Sequence, residues 1–88
     1  MKSWRTRRFK DLYARLPADA RRQTTAAYRL WKSNPRHPSL HFKLVDPADP
    51  TVYSVRIGLR YRAIGYYAAN GDFLWVWIGT HAEYDKVT

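Results

Sequence analysis

The stretch YSVRIGLRYRAIGYYAANGDFLWVWIG, Tyr53 to Gly79, alternates apolar and polar residues in short runs and breaks twice, at Gly58-Leu59-Arg60 and at Asn70-Gly71. A period of 2 sends successive side chains to opposite faces of a pleated strand, so VYSVRI, YRAIGYY and FLWVWI are predicted as three strands of an antiparallel meander. Asn-Gly is the strongest short hairpin signal in the chain and predicts a two-residue turn. That turn sets Ala69 opposite Asp72, Tyr66 opposite Trp75, Ile64 opposite Trp77 and Arg62 opposite Gly79. Parity decides everything at the other loop, because a slip of one residue moves each side chain to the other face. A three-residue loop over 58–60 pairs Ile57 with Tyr61 and Arg56 with Arg62, and it sorts the strands into two coherent faces. One carries Tyr53, Val55, Ile57, Tyr61, Ala63, Gly65, Leu74, Val76 and Ile78 and suits packing against helices. The other carries Ser54, Arg56, Arg62, Ile64, Tyr66, Trp75 and Trp77 and, by continued alternation, reaches His81.

Upstream, LHFKLV adds a fourth strand beginning at residue 40, and before it the period changes to that of a helix. Phe9, Leu12, Tyr13 and Leu16 fall at i, i+3, i+4 and i+7, and Pro17 stops the run. A second helix fits residues 18–33, with Ala20, Thr24, Ala27, Tyr28 and Trp31 on one stripe. SNPRHPS, with Pro35 and Pro38, ends the helical half. The predicted architecture is α+β: an N-terminal helical hairpin packed on one face of a four-stranded antiparallel sheet, in a single domain spanning residues 1–88.

The net charge of +9 is unevenly placed. Residues 1–36 hold 11 Lys and Arg against Asp11 and Asp19, whereas residues 37–88 hold 5 basic and 5 acidic groups. A one-sided basic surface attracts polyanions through counterion release, which points to nucleic acid or an acidic protein partner. The plainer alternative is a helix surface kept soluble by arginine. The absence of Cys fits a reducing compartment, and with no apolar run near 18 residues the chain reads as soluble, unprocessed and cytoplasmic, without a membrane partner.

Arg56 and Arg62 as a cross-strand pair are a poor structural choice, since like charges directly opposite one another are destabilising. A phosphate between them reverses the sign, because guanidinium groups bind phosphate bidentately and stay charged. Trp77, Trp75 and Tyr66 could stack on unpaired bases. His81 is the strand-end group able to move a proton near neutral pH, and Tyr84 is a second donor or orienting group. Together these suit RNA cleavage by attack of a ribose 2′-oxygen on the adjacent phosphorus. No cofactor or metal is implied: His37, His41 and His81 are scattered, and the acidic residues lack ligand spacing. Bland alternatives stand beside each assignment. Arg56 and Arg62 could be solvated strand residues, His81 a cap, the Trp75 and Trp77 stripe core, Lys43 an outward strand residue, and His37 and His41 structural.

The blocks FKDLYARLP, AYRLWKSNPRHPSLHFK, YSVRIGLRYRAIGYY and WVWIGTHAEYDKV resemble the RelE/ParE superfamily of toxins of bacterial type II toxin–antitoxin systems, over nearly the whole chain from Arg8. The resemblance implies a small α+β fold and a cognate acidic antitoxin that wraps the toxin, giving a toxin–antitoxin hetero-oligomer. It also implies a choice of activity. RelE-like, YoeB-like and YafQ-like members are metal-independent endoribonucleases acting on messenger RNA, commonly in the A site of the small ribosomal subunit, whereas ParE-like members inhibit DNA gyrase. The nuclease side is matched by Arg56 and Arg62 at basic strand positions, by His81 after the last strand and by Tyr84 as the C-terminal aromatic, and GTHAEYD is similar to the YafQ-like ending. Against the family pattern, Ser54 stands where RelE has a basic cluster, and the N-terminal strand is reduced to about KSWRTR. The resulting expectation is a ribosome-dependent mRNA interferase with Arg56, Arg62, His81 and Tyr84 catalytic, and Arg21, Arg22, Arg29, Lys32, Lys43, Arg60 and Trp77 binding RNA. The alternatives are a ParE-like gyrase inhibitor and an RNA-binding module without turnover.

Overall fold

The computed structural model describes residues 2–88. Strand β1 (Ser3–Arg5) leads into helices α1 (Arg7–Ala14) and α2 (Ala18–Ser33). A 3-10 turn at Pro38–Leu40 precedes strands β2 (Lys43–Leu44), β3 (Val52–Ile57), β4 (Tyr61–Tyr67) and β5 (Phe73–Thr80), and the described chain closes with helix α3 (His81–Val87). The sheet order is β1-β5-β4-β3-β2. It therefore has five strands and is mixed, where four antiparallel strands were predicted: Ser3, Trp4 and Arg5 pair in parallel with Phe73, Leu74 and Trp75. Local alternation could not reveal β1, because three residues give no period. Tertiary bonds hold it, the Trp4 indole N–H donating to Asp72 at 3.1 Å and the Phe73 amide to the Lys2 carbonyl at 2.9 Å. That indole bond, ahead of the Lys2 amide and the Asn70 amide, holds the Asp72 carboxyl below the usual carboxylate range. The fourth predicted strand also shrinks, to Lys43–Leu44, because His41 adopts a left-handed backbone (φ 45°) that ends extension on its N-terminal side.

Both helices form where the 3.6-residue pattern places them. The Thr6 hydroxyl accepts from the Phe9 amide to start α1, and Pro17 precedes α2. Their inner residues Phe9, Ala20 and Trp31, with Leu16 from the turn between the helices, pack on the Val55, Ile57, Ala63 and Ile78 face of the sheet. At the centre, Trp31 is fully buried among Phe42, Phe73 and Trp75, with ring centroids 5.0–6.0 Å apart in tilted or edge-on contacts.

The β3–β4 register matches the expectation throughout, with Arg56 opposite Arg62 and Ile57 opposite Tyr61. Between β4 and β5 two irregularities cancel. The turn contains three residues and not two: the Gly71 amide donates to the Ala68 carbonyl at 2.9 Å, the Ala68 amide to the Asp72 carbonyl at 2.8 Å, and Gly71 sits at φ 88°. This is the type I turn with a glycine bulge, the common three-residue hairpin. It shifts Tyr66 opposite Leu74 and Gly65 opposite Trp75. A bulge then leaves Val76 without a counterpart and restores Ile64 opposite Trp77 and Arg62 opposite Gly79, as predicted. Trp75 consequently belongs to the helix-facing core, while Leu74 joins the other face.

Gly65 is required by packing. A Cβ there would collide with the Phe73 ring and lie 2.7 Å from the Leu74 carbonyl oxygen, which is backbone and cannot swing away. Gly65→Ala is expected to destabilise the domain by about 1–3 kcal/mol, the usual cost of overpacking. Urea unfolding monitored by circular dichroism measures it, and an unchanged midpoint would contradict this packing.

Candidate functional site

The face of the sheet turned away from α1 and α2 carries the charged cluster, and α3 lies over one end of it. That helix was not foreseen, although its signal is in the sequence: Thr80-His81-Ala82-Glu83 is a capping box. The Thr80 hydroxyl accepts from the Glu83 amide at 3.1 Å, and the Thr80 amide donates to the Glu83 carboxylate at 2.8 Å. A third bond, from the His81 amide to the Arg60 carbonyl at 2.7 Å, ties the helix start to the end of the 58–60 loop. With the helix anchored, His81, Tyr84 and Asp85 fall at i, i+3 and i+4 on one of its faces.

Arg62 reaches this face from β4. Its Nε donates to His81 Nδ1 at 3.0 Å, and its guanidinium carbon lies 5.2 Å from the centre of the Tyr84 ring. The His81 and Tyr84 rings are nearly parallel, 11° apart with centroids 6.3 Å apart, and Tyr84 in turn covers Trp77 at 6.3 Å. Because His81 Nδ1 accepts from Arg62, the proton of the neutral ring sits on Nε2, which faces the Asp85 carboxylate at 3.9 Å. That separation is an electrostatic contact and too long for a hydrogen bond. Across the strand, Arg56 donates through Nε to the Gly58 carbonyl at 3.0 Å and approaches His41 Nε2 with Nη1 at 3.4 Å. Two guanidinium groups thus stand opposite each other, each with a histidine nitrogen at its end. Arg62 Nη1 is buried and has no hydrogen-bond partner among the described residues.

The other expected contributors scatter. Lys43 is exposed on the edge strand opposite Ser54 and shares this face with Arg56. Arg60 is exposed in the adjoining loop. Trp77 is only 7 % exposed, packed beneath Tyr84, so its ring is not open for a base to stack upon. Arg21, Arg22 and Arg29 line a depression with Tyr13 and Thr25 on the helical layer, and the Lys32 ammonium lies 6.0 Å from the Tyr28 ring. These four belong to the layer on the opposite side of the sheet from Arg62 and His81. Two residues given no role in the chemistry, His41 and Asp85, are brought into the cluster. Asp85 was findable as the i+4 neighbour of His81 once the capping box is read as a helix start. A cavity of about 500 Å³ between the helices and the sheet is lined by Phe9, Tyr13, Trp31 and Trp75 and shares no residue with the cluster. Among the described residues, no three His, Asp or Glu converge as a metal site requires, and no helix is long and apolar enough to cross a membrane.

The Thr80 amide is the main cause holding the Glu83 carboxyl below the usual carboxylate range. A depressed folded-state value means that this contribution is present above the unfolded carboxyl's titration and is lost as pH falls through the folded one. Loosening of α3 at acid pH is therefore expected, together with weakening by Thr80→Ala, at about 1 kcal/mol for a lost cap. Acrylamide quenching of tryptophan fluorescence from pH 7 down to pH 3 reports it through Trp77; no added exposure in either case would mean that the cap does not seat the helix.

An α+β scaffold with an arginine–histidine cluster on the uncovered face of its sheet is the class that these features define. The fold matches that of solved RelE and YoeB/ParE toxins. It is similar to a YoeB/ParE toxin from Agrobacterium tumefaciens, with TM-score 0.70 and 18 % identity over 92 % of this chain and 99 % of that one. It is likewise similar to the isolated Escherichia coli RelE toxin, with TM-score 0.69 and 15 % identity over 98 % and 94 % of the two chains. A copper-bound mutant toxin from Helicobacter pylori superposes with TM-score 0.64 at 11 % identity over 94 % and 97 %. No family model and no curated protein matches the chain.

Proposed function

We propose that this chain is the toxin of a type II toxin–antitoxin pair and an endoribonuclease that cleaves messenger RNA on the ribosome without a metal. The observation that carries the reading is the opposed Arg56 and Arg62 with His81 bonded to Arg62 at 3.0 Å, on a face of the sheet that the helical pair does not cover. Like charges held opposite each other are costly unless an anion joins them. The phosphorane-like transition state of RNA cleavage is such an anion, and guanidinium groups stabilise the charge that develops on its oxygens. In the resting protein Arg62 is occupied by His81 Nδ1 and the Tyr84 ring. A phosphate that draws the guanidinium to itself frees the imidazole for proton transfer, so binding and activation of the histidine are linked. Tyr84 orients both groups from above.

The helical arginines, Arg21, Arg22 and Arg29, with Lys32, hold the basic excess on the far side of the sheet, where they suit ribosomal RNA backbone or an acidic antitoxin. Lys43 and Arg60 flank the cluster and suit the message itself. A cytoplasmic site of action follows from the proposed ribosomal substrate.

Primer-extension mapping of a reporter mRNA in a cell-free translation reaction tests the reading. Native protein is expected to cut within codons only when ribosomes are present, and His81→Ala to reduce cutting roughly 10²–10⁴-fold, the range for a lost acid–base group. Uncut mRNA with folded native protein would overturn the nuclease reading, and inhibition of DNA supercoiling by the same preparation would then favour the gyrase alternative.

A further inference from the structure

Breaking an RNA strand by attack of the 2′-oxygen needs two proton transfers on opposite sides of the phosphorus. A base takes the proton of the 2′-hydroxyl as the O2′–P bond forms, and an acid gives a proton to O5′ as the P–O5′ bond breaks, leaving a 2′,3′-cyclic phosphate and a 5′-hydroxyl. Resting on the nuclease reading, we infer that the site holds two histidines for these two steps, and that His41 is the base and His81 the acid.

Several observations converge. His41, Arg56, Arg62 and His81 form one row: His41 Nε2 lies 3.4 Å from Arg56, Arg56 stands directly opposite Arg62, and Arg62 bonds His81 at 3.0 Å. The two guanidinium groups come from directly paired residues, whose Cα atoms lie about 4.5–5.5 Å apart in such a ladder. They form a phosphate seat with an imidazole at each end, the arrangement that in-line attack and departure require. His41 is held in the row by a backbone that histidine adopts reluctantly, φ 45°, at the end of the 3-10 turn. It is the one non-glycine residue among those described at positive φ, and such strain persists only where surrounding structure imposes it. Its side chain is nevertheless exposed and free to meet a ligand.

Both rings accept from a guanidinium in the resting protein, and a carboxylate beside one of them assigns the roles. His81 has the Asp85 carboxylate 3.9 Å from Nε2, the counter-charge that an imidazolium needs. His41 has no carboxylate within ion-pair reach among the described residues, and because Arg56 carries only donors, His41 Nε2 is the acceptor of their 3.4 Å contact. An acceptor is what a base must be at the start of the reaction. Once Arg56 turns to phosphate, that lone pair is released for the 2′-hydroxyl.

Leaving-group substitution separates the two steps. An mRNA with a bridging sulfur in place of O5′ at the cut site, loaded on a stalled ribosome, has a leaving thiolate that departs without a proton. His41→Asn, which keeps a side chain at ease in the left-handed region, is compared with His81→Ala and native protein, with folding checked by circular dichroism. Both variants are expected to lose roughly 10²–10⁴-fold on the oxygen substrate. On the sulfur substrate His81→Ala should recover to within about tenfold of native, while His41→Asn keeps its whole loss. Cleavage by His41→Asn at the native rate, or its rescue by sulfur, overturns the assignment and leaves the nuclease reading standing. If native protein cuts neither substrate, the nuclease reading fails and the assignment falls with it.

Discussion

Replacing Arg62 with alanine is expected to lower cleavage of ribosome-bound mRNA on the order of 10²–10³-fold, the usual loss when one preorganised transition-state donor is removed. The side chain joins three parts of the cluster: it opposes Arg56 across the ladder, donates to His81 Nδ1, and lies 5.2 Å from the Tyr84 ring centre. Alanine removes the charge that stabilises the phosphorane and the bond that selects the His81 tautomer together. Arg62→Lys keeps the charge but loses the planar fork, so partial activity, below native and above alanine, is the second expected outcome. Primer extension gives the rates, and unchanged circular dichroism shows that the domain persists. Equal cutting by native and Arg62→Ala proteins would place the phosphate elsewhere and remove the cluster from the mechanism. The effect should exceed that of Arg56→Ala, because Arg56 is also held by a backbone carbonyl and contacts no part of α3 in the ladder described above.

Trp31→Ala should produce the largest loss of stability in the chain. Trp31 is 0 % exposed and meets Phe42, Phe73 and Trp75, so it joins α2 to both the 41–42 connection and β5. Truncating a buried aromatic of this kind costs about 3–5 kcal/mol. Domains of this size have a total stability toward the low end of roughly 5–15 kcal/mol. With about 4–8 °C of melting temperature per kcal/mol for a chain of this length, a fall of roughly 12–40 °C is expected in thermal circular dichroism. Trp31→Phe should recover much of it by refilling part of the volume. A shift of only a few degrees for alanine would mean that the layer between helices and sheet is not held at this point. Because Trp31 is on the covered face, any loss of cleavage in the alanine variant should track the unfolded fraction, unlike the loss in Arg62→Ala.

Local pattern was sufficient for several features of this protein, for a physical reason. The 3.6-residue stripes of α1 and α2, the breaks at Pro17 and at Pro35 and Pro38, and the pairing of Arg56 with Arg62 all follow from side-chain direction and from proline, which act within a few residues. The placement of Arg62, His81 and Tyr84 together was also legible, since strand parity carries a residue to a known face and the cluster follows β5 directly. Even Arg62 opposite Gly79 came out as expected, although through compensation: the extra turn residue at Ala69–Gly71 and the bulge at Val76 shift the ladder in opposite senses.

Tertiary structure alone decided the rest. Which tryptophan entered the core depended on that bulge, and a bulge reflects how β5 must twist to bury Trp75 under Phe9 and Trp31 while Trp77 goes beneath Tyr84. Three residues of β1 became a strand only because β5 offered a free edge and Asp72 a partner for Trp4. His41 joined Arg56 across 15 positions of sequence through a left-handed residue that no alternation of apolar and polar positions encodes. The sequence by itself determined periods, stops and faces, because these are set by neighbours along the chain; the sheet edge, the buried indole and the second histidine were decided by distant surfaces meeting, where packing and hydrogen-bond satisfaction outweigh local preference.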